Sequence, residues 1–233
     1  VNFSCYYLLL MRQLRDVFRD EELRIYLIIV AGSVLLITWD LRGLYATVGQ
    51  ALHHAAFQVA SIISTTGFAT ADFDLWPSFS KAILMVLMIT GACAGSTAGG
   101  LKLARALLLI KTLRRNARQV LHPNRVQVVR NNGQVVSEKV LEHANAYFAA
   151  YIIIILVSFL LISLDEFSLT TNFTAVLACF NNVGPGFEGV GPSCSFAAYS
   201  PLSKLILTMD MLAGRLEIFP ILALFSRGSW TYK

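Results

Sequence analysis

The sequence predicts an all-α integral membrane protein made of two successive helix–pore loop–helix units. Three observations carry that prediction. Hydrophobic residues fill 56% of the 233 positions and charged residues 14%, against about 25% charged in an ordinary soluble domain. The apolar residues come in long blocks, at 25–38, 82–93, 149–163 and 205–224. With its flanks, each block reaches the roughly 20 residues of a membrane span. Finally, two short amphipathic segments end in glycine-containing loops at matching places in the chain.

The elements follow in order. Residues 1–11 are apolar but short, like the tail of a helix already under way, and the chain opens on Val1 without a cleavable signal pattern. It is therefore expected to be part of a longer protein. A basic run, Arg12, Arg15, Arg19 and Arg24, precedes a first span at 23–41. After a polar break at Asp40 and Arg42 comes an amphipathic segment, 48–63, too short to need a full crossing. It runs into Ser64-Thr65-Thr66-Gly67-Phe68-Ala69, and 72–77 is a polar turn. A second long segment, 78–114, is interrupted at 91–100 by Gly91, Gly95, Gly99 and Gly100 with Ser96 and Thr97. Helix-weakening residues at that density predict a break within the span. The spacing of Gly91, Gly95 and Gly99 by four also fits a small-residue packing face. Leu101 stands between Gly100 and Lys102, so the Gly-Lys-Ser/Thr ending of a phosphate loop is missing.

Asn132-Gly133, inside the polar stretch 113–138, predicts a tight hairpin. The order then repeats: a span at 140–164, a polar break at Asp165-Glu166, a short helix at 170–180, a loop Asn181-Asn182-Val183-Gly184-Pro185-Gly186-Phe187, and a last span at 201–225. Ser64-Thr65-Thr66-Gly67 lies 117 positions before Asn181-Asn182-Val183-Gly184. Ser80-Lys81 lies 123 before Ser203-Lys204, and at that offset Gly91 meets Gly214. Two units in the same order have the same orientation. The domains expected are a helix end and linker at 1–22, a unit at 23–114, a cytoplasmic loop at 115–139 and a second unit at 140–233.

Charge sets the direction. Of the 19 Lys and Arg, all but Arg42, Lys81, Lys204 and Arg215 lie in the N-terminal segment, in the middle loop or the helical stretch that leads into it after the glycine break, or in the C-terminal tail. The net charge of +5 thus reads as positive-inside topology rather than nucleic-acid binding, with both ends cytoplasmic. The four cysteines show no metal-ligand spacing, and three lie in or beside predicted membrane segments. His53-His54 do not share a helix face and read as the outer end of the short helix. Asp72 and Asp74 fit either a cation-attracting mouth or a solvated turn.

Non-helical backbone at membrane depth must be buried in protein or line water. A glycine in such a loop lets successive carbonyls turn toward one axis, and a ring of carbonyls replaces the hydration shell of a cation. The C-terminal end of the preceding short helix is partially negative, which favours a cation as well. Arg215 is a charge inside a predicted span, which marks an ion path or an internal partner such as Asp210 or Glu217.

The segment Ser64–Phe73, the run Ala94-Gly95-Ser96-Thr97-Ala98-Gly99-Gly100 and Asn182-Val183-Gly184-Pro185-Gly186 strongly resemble the Trk/Ktr/HKT superfamily of potassium transporters, nearest to the bacterial Trk-type membrane subunit. That family has four helix–pore loop–helix units around one ion path, and the resemblance covers only the third and fourth, half of the pore. It implies that Thr65, Thr66 and Gly67, with Asn182, Val183 and Gly184, belong to a potassium selectivity filter. It implies that Gly91, Gly95, Ser96, Thr97, Gly99 and Gly100 form an intramembrane gating loop, with Arg215 a positive barrier near it. It also implies a bacterial inner-membrane location, a cytoplasmic nucleotide-binding regulatory subunit, a homodimer, and the remaining two units as partners. The fourth loop lacks a Thr-Val-Gly-Tyr-Gly run, so weaker selectivity against sodium stays open, and so does a non-conducting assembly role. No catalytic triad, zinc site or dinucleotide fingerprint is present, and no enzymatic activity or resident cofactor is expected; potassium is the transported ion.

Overall fold

The computed structural model describes residues 3–13, 17, 19–96, 98–122, 127–216 and 218. Within them the elements are α1 (Phe3–Leu10), α2 (Glu21–Asp40), α3 (Val48–Ile63), α4 (Ser78–Thr90), α5 (Leu103–Leu121), β1 (Arg130–Asn131), β2 (Gln134–Val135), α6 (Glu138–Ile162), α7 (Leu169–Phe180) and α8 (Pro201–Leu216).

Local chemistry explains where the helices begin and end. Asp20 caps α2 by accepting the Leu23 N–H at 2.9 Å, and Thr47 and Ser168 cap α3 and α7 in the same way. Side-chain oxygens there satisfy amides that the first turn leaves unpaired. α4 stops at Gly91, whose φ of 62° takes the chain out of the helix. The two strands form an antiparallel pair, Arg130 opposite Val135, across Asn132 (φ 49°) and Gly133 (φ 79°). Both φ values are positive, as a type I′ turn requires.

Two helices among the described residues, over Glu21–Gly43 and Glu138–Asp165, are long and apolar enough to cross a membrane. Two of the four apolar blocks thus lie on helices of spanning length, and the fourth, 205–224, runs partly outside the described residues. α4 covers only 13 residues because the glycine break interrupts its block, and α8 is described for 16. On α2 the side chains of Ile28 and Leu35, and on α6 those of Ile153 and Leu160, are more than 60% exposed. Apolar faces this open suit a lipid surround rather than water.

Each half has its own core. Ile37, Val59, Ile62, Leu84 and Met88 pack together in the first, and Tyr151, Ile155, Val176, Phe180 and Leu207 in the second. The halves interlock: Val183 and Phe187 insert into the first core, and Leu101 into the second.

The contacts also recur. Single 3-10 turns follow α2 (Leu41–Gly43) and α6 (Ser163–Asp165), and others precede α4 (Phe73–Leu75) and α8 (Phe196–Ala198). Asp40 accepts the Ser80 N–H at 3.1 Å and its hydroxyl at 2.6 Å, and Asp165 accepts the Ser200 N–H at 2.9 Å. Lys81 donates to the Asp74 carbonyl and Lys204 to the Ala197 carbonyl, each at 2.8 Å. In the second half the Tyr199 hydroxyl donates to Asn172 Oδ1 at 2.9 Å. Burial pushes that phenol up to about 12, so it remains a donor at neutral pH.

Candidate functional site

The two short helices end alike. Ser64 and Asn181 close α3 and α7, and Thr65 and Asn182 then both take φ 55°. Left-handed backbone is unfavourable for a β-branched threonine, so it must be held. The Thr65 N–H donates to the Ile62 carbonyl at 3.1 Å and the Thr66 N–H to that of Ser61 at 2.9 Å. In the other loop the Asn182 N–H donates to Cys179 at 3.0 Å and the Val183 N–H to Ala178 at 2.9 Å. Glycine follows in both, Gly67 at φ 79° and Gly184 at φ 109°. Each loop thus prolongs the carbonyl end of a short helix, where the partial charge is negative.

The loops touch each other. A Cβ on Gly67 would overlap the Val183 carbonyl oxygen and stand 3.1 Å from Pro185 Cδ. Further out, Phe187 packs edge-on against Phe73 with ring centres 5.5 Å apart, and the Ser193 hydroxyl donates to Asp72 Oδ2 at 2.8 Å. Asp72 therefore also ties the two halves together. A cavity of about 340 Å³ opens beside the second loop, lined by Cys179, Val183, Gly184, Lys204, Leu207 and Met211 among others.

The glycine break lies between α4 and α5 as irregular backbone, with Gly95 at φ 69°, Gly100 at φ 80° and Lys102 at φ 61°. It cannot present a continuous helical packing face of Gly91, Gly95 and Gly99. It closes on itself through Leu103 N–H to Ala92 O at 2.9 Å. Its end at Gly99-Gly100 lies against the close of α7. A Cβ on Gly99 would stand 2.8 Å from the Asn181 carbonyl oxygen and 2.9 Å from Asn182 Nδ2, and one on Gly100 would overlap Asn181 Oδ1. α8 reaches the same point from another side: a Cβ on Gly214 would overlap the Phe180 carbonyl. Asn182 Nδ2 donates to the Met211 carbonyl of α8 at 3.1 Å. Arg215 follows on the last turn of α8 with an exposed side chain.

Thr65, Thr66, Gly67, Asn182, Val183 and Gly184 are thus gathered at one junction of two loops. Gly99 and Gly100 border it through Asn181, and Gly214 through Phe180 and Asn182. Gly95 and Ser96 do not join them. They belong to the turn where Ser96 Oγ donates to the Cys93 carbonyl at 2.6 Å and the Ala94 N–H donates to Glu22 Oε1 at 2.6 Å. Thr97 and Glu217 lie outside the described residues. Asp210 is buried and accepts the Ser158 hydroxyl at 2.8 Å. His54 sits on the ring of Tyr45 and bonds Thr70 at 3.3 Å. No group of three or more His, Cys, Asp or Glu capable of holding a metal occurs among the described residues.

Sequence reasoning missed the supports of the break. Tyr147 donates to the Gly100 carbonyl at 3.3 Å, and Tyr151 to Asn181 Oδ1 at 3.2 Å. The Arg105 guanidinium lies 4.0 Å over the Tyr147 ring. Two tyrosines four apart in an apolar span share one helix face, and that spacing was the available signal. Glu22, nearly buried at the edge of an apolar block, was the other.

Long apolar helices with lipid-type faces, and irregular backbone enclosed between them, define a helical membrane protein. The chain belongs to the TrkH family of cation transport proteins, whose family model matches residues 10–231. It is 37% identical to the Trk system potassium uptake protein TrkH of Salmonella typhimurium over 98% of this chain and 48% of that protein. It is 31% identical to the Trk system potassium uptake protein TrkG of Escherichia coli over 98% of this chain and 47% of that one. The crystal structure of the potassium transporter TrkH from Vibrio parahaemolyticus superposes with a TM-score of 0.88 at 31% identity, covering 99% of this chain and 50% of that chain. The chain spans about half the length of the curated relatives it matches.

Proposed function

We propose that this chain supplies two of four pore-loop units around a potassium path, with backbone carbonyls of the two left-handed loops contributing to the selectivity filter. The observation that carries the reading is the contact between Gly67 and the Val183 carbonyl. It sets two equivalent loops, each at the negative end of a short helix, against one another. The relatives are potassium uptake proteins, which supports the same ion. Under this reading the break at 91–100 is a gate below the filter and Arg215 a positive barrier beside it. The charged segments face the cytoplasm of a bacterial inner membrane. The chain works as a homodimer with a nucleotide-binding regulatory subunit, and the stretch 114–139 is a docking surface for that subunit.

The experiment is rubidium and sodium flux into vesicles holding the full-length protein. Rubidium uptake driven by membrane potential is expected. Strong sodium flux without rubidium flux overturns the potassium assignment in favour of a sodium-permeable transporter, and absence of both leaves an assembly role. Arg215→Ala is expected to raise leak several-fold by removing the fixed positive charge. Unchanged flux at equal expression removes the barrier role.

A further inference from the structure

The first turn of α2 carries two adjacent acids that meet different loops. Glu21 meets the cytoplasmic hairpin. Lys111 of α5 forms an ion pair with it, and the Asn132 N–H donates to Glu21 Oε2 at 3.4 Å. The hairpin tip returns the contact: Asn132 Oδ1 accepts the Glu21 N–H at 2.9 Å, and Asn132 Nδ2 donates to Asp20 Oδ2 at 3.1 Å. Lys111 also donates to the Arg130 carbonyl at 2.9 Å, so it binds the strand as well as the acid. Glu22 turns inward and accepts the Ala94 N–H of the glycine break at 2.6 Å. Neighbouring residues on a helix project about 100° apart, so one rigid turn holds two separate loops. Polar contacts at this end also complement the partial positive charge of the helix N-terminus.

We propose that Glu21 and Glu22 form a two-sided latch, through which docking of the 130–135 hairpin on α2 sets the conformation of the intramembrane break. Seating the hairpin fixes the first turn of α2 through Asn132 and Lys111. That turn fixes Ala94 through Glu22. A partner that lifts the hairpin frees the break without touching it. Glu21, Glu22, Lys111 and Asn132 are positioning residues; none is assigned to the ion path. The inference rests on the proposed gate only for its effect on flux, because the latch itself is a coupling between two loops.

Cys93, buried inside the break, is a native reporter. The test uses full-length protein in vesicles, a maleimide added from the cytoplasmic face, and mass spectrometry to read modification at Cys93. Asn132→Gly keeps the left-handed turn and deletes the side chain, so the hairpin forms but loses its two side-chain bonds to α2 and keeps only the Lys111 and main-chain contacts. It is expected to raise the Cys93 modification rate about five-fold, within the range of allosteric couplings, and to change rubidium flux in step. Glu22→Ala should do the same, with Glu22→Gln as the milder variant if the alanine protein folds poorly. The double variant Asn132→Gly/Glu22→Ala should be no faster than Glu22→Ala alone, because both cut one connection. Parental Cys93 modification in Asn132→Gly, or full additivity in the double variant, overturns the latch. Faster modification with unchanged flux keeps the latch and overturns the break as the gate.

Discussion

The outer and inner parts of the two halves obey different rules. On the loop side, Thr65 and Asn182 share a φ of 55°, their neighbours make the same backbone bonds, and Lys81 and Lys204 each hold a carbonyl seven residues back. On the other side the halves part. The first has irregular backbone at Gly91–Ser96 and Ala98–Lys102, whereas in the second the helix runs on through Gly214. Gly214 packs so closely on Phe180 that no Cβ fits, while at Gly91 the nearest atom to a Cβ would be 3.3 Å away. The repeated part is held by short-range bonds inside each unit. The divergent part leans on partners distant in the chain, Gly100 on Tyr147 of the other half and Gly214 on Phe180 of its own, and those have no reason to be symmetric.

The sharpest way to break the comparison uses the equivalent glycines. Gly67→Ala adds left-handed strain of ~1 kcal/mol to overlap with a backbone carbonyl, an overpacking cost of ~2 kcal/mol. Gly184 has open space around it, so Gly184→Ala pays the strain alone. Thermal melting should show Gly67→Ala as clearly the more destabilised, and equal melting points would mean that the two loops do not lean on each other as described. Next in size, Tyr151→Phe leaves the buried Asn181 Oδ1 without that donor and should cost ~1–2 kcal/mol. The loss should fall on the second half, read as earlier local hydrogen exchange in α7. The smallest effect tests the symmetry itself. Lys81→Met and Lys204→Met each remove one 2.8 Å bond to a carbonyl and should each lower stability by ~0.5 kcal/mol, Lys81→Met slightly more because it also loses the 3.6 Å ion pair with Asp74. A several-fold difference between them would limit the correspondence to backbone shape.

What the sequence made legible was local. The apolar blocks mark α2 and α6, glycine density marks the end of α4, and Asn132-Gly133 marks the turn. The two loops could be located because each follows its own short helix, while the residues singled out within them came from the family resemblance. What was not legible spans distance. Glu22 meets Ala94 across 72 positions and Tyr147 meets Gly100 across 47. No periodicity encodes such pairs, and a tyrosine in an apolar run reads as packing until its hydroxyl is seen to have a carbonyl in front of it. The run of Gly91, Gly95 and Gly99 shows the reverse hazard. A spacing of four suits a helix face, yet positive φ at Gly91, Gly95 and Gly100 takes the chain elsewhere.

The shortness of α4 has an electrical consequence. Its 13 residues rise about 20 Å, while the hydrocarbon layer is about 30 Å thick. Polar backbone therefore begins well before the far side of the bilayer. Under the proposed gate, in which the break lines water, the insulating slab is thinner there than across α6, and the same transmembrane voltage falls over a shorter path. The work per elementary charge stays at about 2.3 kcal/mol for each 100 mV, but under the proposed gate the field that delivers it is steeper beside the break.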